Sequence, residues 1–375
     1  MNKQLKKGFS SGGILERTLS NSVAIESLIP DSVQSQDERW MTLALLEAMN
    51  GVGWASPNPA VGCVLVKDGA IVARGFTQNY GGKHAERMAF ESLQKDCNLQ
   101  DLKGLSAYVT LEPCTHFGKQ PPCVDLLFHP CIDEVIIACS DPDHRVSGRG
   151  IEQLKQSGKK VRVGVLEAEA RAWHLPFLNS RERKKPLWVA KWAENQEGLL
   201  ADSNGNSKWI TNQKSRAYTH WLRQKYDAIL VGSGTWLVDQ PKLTVRDCAK
   251  PHHRDPVILI HDPSDRIQID SVPPSIRIYK QKSVKELVEA IESTDFGFEL
   301  QSVFCEGGAK TLNELFRLEK IDIVHRFIGQ KDFGVLAKGS PHRIQAFEPS
   351  VGTTWGCTTL CDLDYDRLQE WAKCF

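Results

Sequence analysis

The sequence predicts two successive α/β domains, and three observations carry that expectation. The chain has 375 residues, more than one ordinary core holds. Strand-like runs alternate with helical patterns from about residue 36 to 166, which is the pattern of a layered α/β domain. The same alternation restarts beyond "NSRERKKP" (179–186), a polar, charged stretch ending in proline that reads as a linker. The expected division is a mobile tail over 1–34, one domain over 35–178 and a second over 186–375.

The tail begins "MNKQLKKGFSSGGILERTLS", a stretch that is basic and rich in Ser and Gly. It lacks the continuous apolar core of a secretory signal, and Glu16 interrupts its basic run. Ser35 and Glu38 stand three apart like a capping box. Trp40, Leu43, Ala44 and Leu46 then recur at helical spacing, and Asn50-Gly51 can end the helix. In "AVGCVLVKDGAIVARGF" two β-branched runs flank Asp68-Gly69, a strong hairpin signal. "HAERMAFESLQ" puts Ala85, Met88, Ala89 and Leu93 on one helical face. "AYVTL" (107–111), "EVIIAC" (134–139) and "VRVGVL" (161–166) read as strands, with a short helix over Cys123 to Phe128. Beyond 186 the expected order is strand "LWVAKWA", helix around "NQKSRAYTHWLRQ", strands "DAILVG" and "PVILIH", helix "SVKELVEAIES", strand "SVFC", helix "AKTLNELFR" and strand "DIVHRFIG". Residues past about 335 suggest no element.

Composition excludes several classes. Apolar content of 41% and charged content of 25% are those of a soluble globular protein. No run is long and apolar enough to span a bilayer. A net charge of +1 argues against a nucleic-acid partner. The 11 cysteines are odd in number and scattered, which favours free or metal-bound thiols and the cytoplasm over a disulfide framework.

The chemistry concentrates in "GGKHAERMAF" and "LEPCTHFGKQPPC". His-x-Glu followed by Pro-Cys and a second Cys is the pattern of zinc nucleobase deaminases. His84, Cys114 and Cys123 would supply one imidazole and two thiolates, leaving a fourth position for a water whose pKa falls to about 7. Glu86 is placed to move protons between that water, a ring nitrogen and a leaving amine. Pro113 and Pro122 suit helix entries, where a missing N–H costs little. Taken singly, a His at a helix start, a Glu in a first turn or two Cys in a loop is usually structural. Their combination in this order favours the metal site. A closed zinc with a fourth ligand from His116, Cys131 or Cys139 would leave Glu86 without a purpose.

Most cytidine and tRNA-adenosine deaminases carry Cys-x-x-Cys, whereas eight residues separate Cys114 from Cys123. This longer loop resembles the bifunctional deaminase/reductase family of riboflavin biosynthesis. "PNPAVG" (57–62), "HAE" (84–86), "DPDHRVSGRGI" (141–151), "LPFLN" (175–179), "SKWIT" (207–211), "LRQKYDAILVGSGTWLVDQPKLTVR" (222–246) and "EGGAKTL" (306–312) resemble the same family. The resemblance implies a cytidine-deaminase-like three-layer αβα domain followed by a dihydrofolate-reductase-like α/β domain. It implies Zn²⁺ in the first and NADPH in the second. The implied substrate is diaminohydroxyphosphoribosylaminopyrimidine, deaminated to a uracil and then reduced from ribosyl to ribityl. Carried over by position, Asn58 would hold the pyrimidine near zinc. Lys191, Ser207, Arg223, Leu243, Arg246 and Glu306 would bind substrate in the second domain, and Ala193, Trp209, Thr235, Asp239 and Gly308 would contact NADPH. The two arginines suit a ribose phosphate, and the glycines of "CEGGAKTL" let backbone N–H groups face a phosphate. No G-x-G-x-x-G is present. A homodimer through the reductase domain is also implied.

The chain departs from the family's pattern at Asn195-Gln196-Glu197, at Gln240, at Lys119 and at Asp143. The alternatives to the full enzyme are a deaminase whose second domain binds without reducing, and a zinc-stapled binding module.

Overall fold

The computed structural model describes residues 35–375 apart from 144–145, 204–206, 247–253, 269–271, 274, 333–342, 346, 348–354, 364–365 and 374–375. The expected tail over 1–34 lies outside the described residues. The chain forms two compact units with the boundary between Lys184 and Lys185.

In the first unit, α1 (Gln36–Ala48) opens on Ser35, whose hydroxyl accepts from the Glu38 N–H while the Glu38 carboxylate accepts from the Ser35 N–H. This is the expected capping box. Burial goes further than one face, since every residue from Trp40 to Ala48 is buried. A 3₁₀ turn over Met49–Gly51 comes next. The hairpin of β1 (Gly62–Lys67) and β2 (Ala70–Phe76) pairs Lys67 with Ala70 across a two-residue turn. Asp68 (φ 50°) and Gly69 (φ 74°) both adopt the left-handed backbone that such a turn requires. Then come α2 (Ala85–Asp96), β3 (Leu105–Val109), α3 (Val124–Leu127), β4 (Ile132–Ile137), α4 (Arg149–Gln156), β5 (Lys160–Val163) and α5 (Glu167–Arg183). The sheet order is β2-β1-β3-β4-β5, antiparallel through β3 and parallel beyond.

Two glycines set the layers. A Cβ on Gly62 would lie 1.9 Å from the Ala44 carbonyl oxygen of α1, and one on Gly75 would lie 2.5 Å from the Ala85 oxygen of α2. Gly75 pairs with Cys63, the neighbour of Gly62, so the two glycines face opposite sides of the sheet. α1 and α2 therefore cover opposite faces, the expected αβα arrangement.

The linker expected over 179–186 is a correction. α5 runs to Arg183 and stops at Lys184 in the left-handed conformation. Glu and Arg are good helix formers, Asn179 and Ser180 are buried, and Pro186 restricts only the residue before it. A charged surface composition there marks the end of a docked helix.

The second unit comprises β6 (Leu187–Glu194), α6 (Gln213–Lys225), β7 (Ala228–Gly232), α7 (Ser233–Asp239), β8 (Val257–His261), β9 (Ile276–Tyr279), α8 (Val284–Ser293), β10 (Ser302–Cys305), α9 (Ala309–Arg317), β11 (Ile323–Ile328), β12 (Trp355–Leu363) and β13 (Asp366–Lys373). Its sheet order is β12-β13-β11-β6-β10-β7-β8-β9. The six strands from β11 to β9 are parallel, and β13 and β12 extend the sheet antiparallel. Its core gathers Trp188, Trp192, Leu259, Leu287, Val303 and Leu312. No described helix is long and apolar enough to cross a membrane.

The terminal strands β12 and β13 were not expected. The inward face of β13 carries Asp366, Leu368 and Glu370, so its alternation is hidden from an apolar count. Both carboxylates are partnered: Asp366 accepts from the Asn212 N–H and the Ser215 hydroxyl, each at 2.6 Å, and Glu370 accepts from the Tyr218 hydroxyl at 2.9 Å.

Candidate active sites

In the first unit, three elements converge. His84 is the N-cap of α2, Cys123 the N-cap of α3, and Cys114 lies beyond the end of β3. His84 Nδ1 lies 3.6 Å from Cys114 Sγ and 3.3 Å from Cys123 Sγ. The three donor atoms fall within 4.8 Å of one another, and among the described residues no other group of metal-ligating side chains does so. A tetrahedral ion with Zn–S near 2.3 Å and Zn–N near 2.0 Å separates nitrogen from sulfur by roughly 3.5 Å, so this donor set fits zinc. Of the candidates for a fourth protein ligand, Cys131 Sγ is 3.0 Å from His129 Nδ1 and Cys139 Sγ donates to the Thr110 oxygen, while His116 lines the cavity beside the cluster without belonging to it.

Electrostatics favour charge at one of the two sulfurs, that of Cys114. Hydrogen bonding from the Cys123 thiol, and then from His84, holds the Cys114 thiol below its usual range. The Cys123 backbone N–H also donates to that sulfur at 3.3 Å. The Cys123 thiol is pushed up, first by its contact with Cys114 and then by burial. Glu86, in the first turn of α2, is 4% exposed. Burial, and next the charge of Cys114, raise its carboxyl above the ordinary range.

A cavity of about 120 Å³ opens beside these groups, lined by Asn58, Glu86, Glu112, His116, Asp141, Asp143 and Arg181 among others. Asn58, expected at the pyrimidine, lines this cavity. Its loop is tied down by Trp173 of α5, whose indole N–H donates to the Ala60 oxygen at 2.9 Å. Burial lifts the Asp141 carboxyl to about 6. Glu112 went unrecognised in the sequence although it directly precedes Pro113-Cys114. Its carboxylate accepts from the backbone N–H groups of Asp141, Gly148, Gly150 and Ile151 at 3.0–3.3 Å, fixing the far wall of the cavity. Arg181, 3.8 Å from the Asp143 carboxylate, was hidden in the stretch that reads as a linker.

In the second unit a larger cavity, about 710 Å³, lies along the C-terminal edge of the parallel strands, where α/β sheets bind ligands. Its size is that of ligand pockets generally, roughly 300–1,000 Å³. Lys191, Ala193, Ser207, Trp209, Arg223, Thr235, Asp239, Arg246, Glu306 and Gly308 all line it. Leu243 does not; its side chain is buried, 2% exposed, and its backbone is left-handed (φ 49°). The departures at Asn195, Gln196, Glu197 and Gln240 do not line the cavity either. Asn195 Oδ1 accepts from the N–H groups of Glu197 and Leu199, so that residue shapes a turn.

Glu306 forms a fork with Arg223, whose Nε and Nη2 donate at 2.5 and 3.0 Å, and Lys191 Nζ lies 3.9 Å away. Burial alone would raise the Glu306 carboxyl, but Arg223 and then Lys191 outweigh it and hold it low. Burial holds the Lys191 amine below its usual value. Gly308, the N-cap of α9, and Thr235 share one wall of the cavity, a Cβ on Gly308 standing at an ordinary contact distance of 3.8 Å from Thr235 Oγ1. Sequence reasoning missed Arg216 and His220, which also line the cavity. Their spacing to Arg223, four and then three residues along α6, was the available signal.

A family model for the cytidine and deoxycytidylate deaminase zinc-binding region matches residues 34–139, and one for the RibD C-terminal domain matches residues 190–346. The riboflavin biosynthesis protein RibD of Aquifex aeolicus is 35% identical over 319 residues, 84% of each chain. That of Escherichia coli is 41% identical over 215 residues, 56% of each chain. Among solved structures, a diaminohydroxyphosphoribosylaminopyrimidine deaminase/5-amino-6-(5-phosphoribosylamino)uracil reductase from Thermotoga maritima is 34% identical, with 90% of this chain and 99% of that one covered and a TM-score of 0.75. Acinetobacter baumannii RibD superposes at TM-score 0.74 over the same shares with 26% identity. With both units matched in order and the imidazole–dithiolate cluster in the first, the chain belongs to the RibD family of riboflavin biosynthesis proteins.

Proposed function

We propose that the chain is a bifunctional enzyme of riboflavin biosynthesis. Its first domain would hydrolyse the ring amine of diaminohydroxyphosphoribosylaminopyrimidine, and its second would reduce the ribosyl group of the resulting uracil to ribityl. The single observation that carries the reading is the buried Glu86 carboxyl on one small cavity with His84 and Cys114, two members of the His84–Cys114–Cys123 cluster.

His84, Cys114 and Cys123 would hold zinc; bound there, zinc acts as a Lewis acid that makes water a nucleophile near neutral pH. Glu86 would take one proton of the water to the ring nitrogen and then carry the second, from the newly formed C–OH, to the departing amine, so water enters and ammonia leaves. The raised Glu86 carboxyl suits a group that must both accept and return a proton. Asn58 would hold the pyrimidine edge, and Glu112 holds the 141–151 backbone beside the cavity.

In the second domain NADPH, when bound, supplies a hydride to the sugar carbon. Lys191, Arg223 and Glu306 form the polar floor on which the substrate would sit, and Arg246, on the same cavity, would meet its phosphate together with Arg223. Ala193, Trp209, Thr235, Asp239 and Gly308 would contact the cofactor. The cysteines described are free thiols, which supports a reducing compartment, the cytoplasm. A homodimer through the reductase domain and the absence of a nucleic-acid partner complete the proposal.

The test tracks the mass of the diamino substrate with purified protein, with and without NADPH. Replacement of NH by O in both arms, plus a gain of two hydrogens only with NADPH, is the expected result. Amine loss without reduction would reduce the second domain to a binding module, and no change in either arm would overturn the proposal. Light scattering tests the dimer, and competition by single-stranded RNA tests the exclusion of nucleic acid.

A further inference from the structure

One helix brings a cation to the small cavity of the first domain. Trp173, Phe177 and Arg181 stand four residues apart on α5 and so share a face. The Trp173 indole is fastened to the Ala60 oxygen, and His174 Nε2 lies 3.1 Å from Thr110 Oγ1. Held in this register, α5 sets Phe177 and Arg181 on the cavity wall. The Arg181 guanidinium lies 5.0 Å from the centre of the Phe177 ring, an attractive placement for a cation. Its side chain is mostly buried. Among the described residues, Arg181 is the one arginine or lysine that lines this cavity.

It faces one carboxylate in particular. Arg181 Nε is 3.8 Å from Asp143 Oδ2, and Asp143 is 6% exposed. At that distance the two atoms attract without hydrogen-bonding each other. The other acids on the wall have different work. Glu112 accepts from four backbone N–H groups, Asp141 accepts from the Asp143 N–H at 2.8 Å, and Glu86 stands by the zinc ligands. The Asp143 carbonyl accepts from the N–H groups of Val146 and Ser147 at 2.7 and 2.9 Å, which fixes the loop after β4. Position 143 is also one at which the chain departs from its family's pattern, so the partnership with Arg181 does not come with the motif.

The pair matches one edge of the ring. With the amine to be removed turned to the zinc ligands, the diaminopyrimidine still carries a second ring amine, on the carbon next to its ring carbonyl. That edge offers a donor beside an acceptor. A carboxylate beside a guanidinium is its complement, an acceptor beside a donor.

We propose that Asp143 and Arg181 are the specificity-determining pair of the deaminase. Asp143 accepts from the ring amine that is kept, and Arg181 donates to the neighbouring carbonyl. The inference rests on the reading of the first domain as a deaminase of this pyrimidine. A buried group built to hydrogen-bond a substrate N–H rejects the analogue without it, because the group is then left unpaired. A cytosine ring, which has a single amine, is excluded in this way.

The experiment measures kcat and KM for deamination by the full-length protein without NADPH. The substrates are the diaminopyrimidine and the same molecule lacking the second ring amine, each with and without its 5′-phosphate. Wild type is expected to prefer the diamino compound by about a hundred-fold or more in kcat/KM. Asp143→Leu is expected to shrink that preference by about ten- to a hundred-fold, the worth of a charge-assisted hydrogen bond. Asp143→Asn, which keeps an acceptor, is expected to retain most of it. Arg181→Met is expected to raise the KM for both pyrimidines by about ten-fold, with or without the phosphate. Zinc content at the wild-type level reports that each variant is folded. A preference that survives Asp143→Leu would overturn the proposal while leaving the deaminase reading intact. So would an equal loss for both pyrimidines in that variant, which would make Asp143 structural. An Arg181→Met effect that vanishes with the phosphate would assign Arg181 to the phosphate and overturn the pair. Wild type that deaminates neither pyrimidine would remove the deaminase reading itself, and the proposal with it.

Discussion

The backbone N–H of Cys123 points at the sulfur of Cys114, 3.3 Å away. The second cysteine therefore serves the first before any ion is considered: it brings its own thiol and steadies its partner's charge. The eight residues between them do not loosen this pair.

Metal retention and catalysis should separate by residue. Cys114→Ser and Cys123→Ser are each expected to leave the purified protein with well under one zinc per chain, read by elemental analysis. Glu86→Gln should keep zinc and lose deamination by about 10²–10⁴-fold, the usual worth of a positioned acid–base group. Unchanged turnover in Glu86→Gln would remove the proton-shuttle role.

Glu112→Ala should damage the deaminase pocket without touching the ligands. Four backbone N–H groups lose their acceptor, and stranded buried donors cost on the order of 3 kcal/mol together. The first domain is expected to unfold at lower urea and the KM for the pyrimidine to rise, with zinc content near wild type.

Gly75→Ala should cost about 1–3 kcal/mol or more, because the new methyl meets the α2 backbone at the Ala85 oxygen and the Ala89 nitrogen, each at 2.5 Å. Since α2 carries His84 and Glu86, zinc affinity should fall with stability. Gly69→Ala, with open space around it but a φ of 74°, is expected to cost roughly 1 kcal/mol and leave zinc binding alone.

Acid should loosen the second domain through Glu306. Its folded pKa lies below the unfolded value near 4.5, so its stabilisation is complete above that pH and disappears as pH falls through the depressed folded value. Glu306→Gln is expected to flatten the fall in unfolding midpoint below about pH 4.5. An acid slope identical to wild type would assign that loss to other carboxylates.

What was legible in the sequence was local. The Ser35–Glu38 cap, the Asp68-Gly69 turn and the His84/Cys114/Cys123 set with Glu86 depend on neighbours or on a dense motif. What stayed hidden depends on distant partners. Glu112 finds its donors 29–39 residues away, and Arg181 faces Asp143 from a helix whose charged composition resembles a linker. Asp366 and Glu370 broke the apolar alternation of β13, and their partners on and before α6 lie more than 150 residues earlier.

The grip of Asp366 and Glu370 on Asn212, Ser215 and Tyr218 has a practical corollary. α6 presents Arg216, His220 and Arg223 to the large cavity, and the final strand of the chain is its rear brace. A chain cut at residue 346, where the match to the RibD C-terminal domain ends, would keep every cavity-lining side chain and lose the buttress behind them. Shortened versions meant to isolate the reductase should therefore retain the last strand.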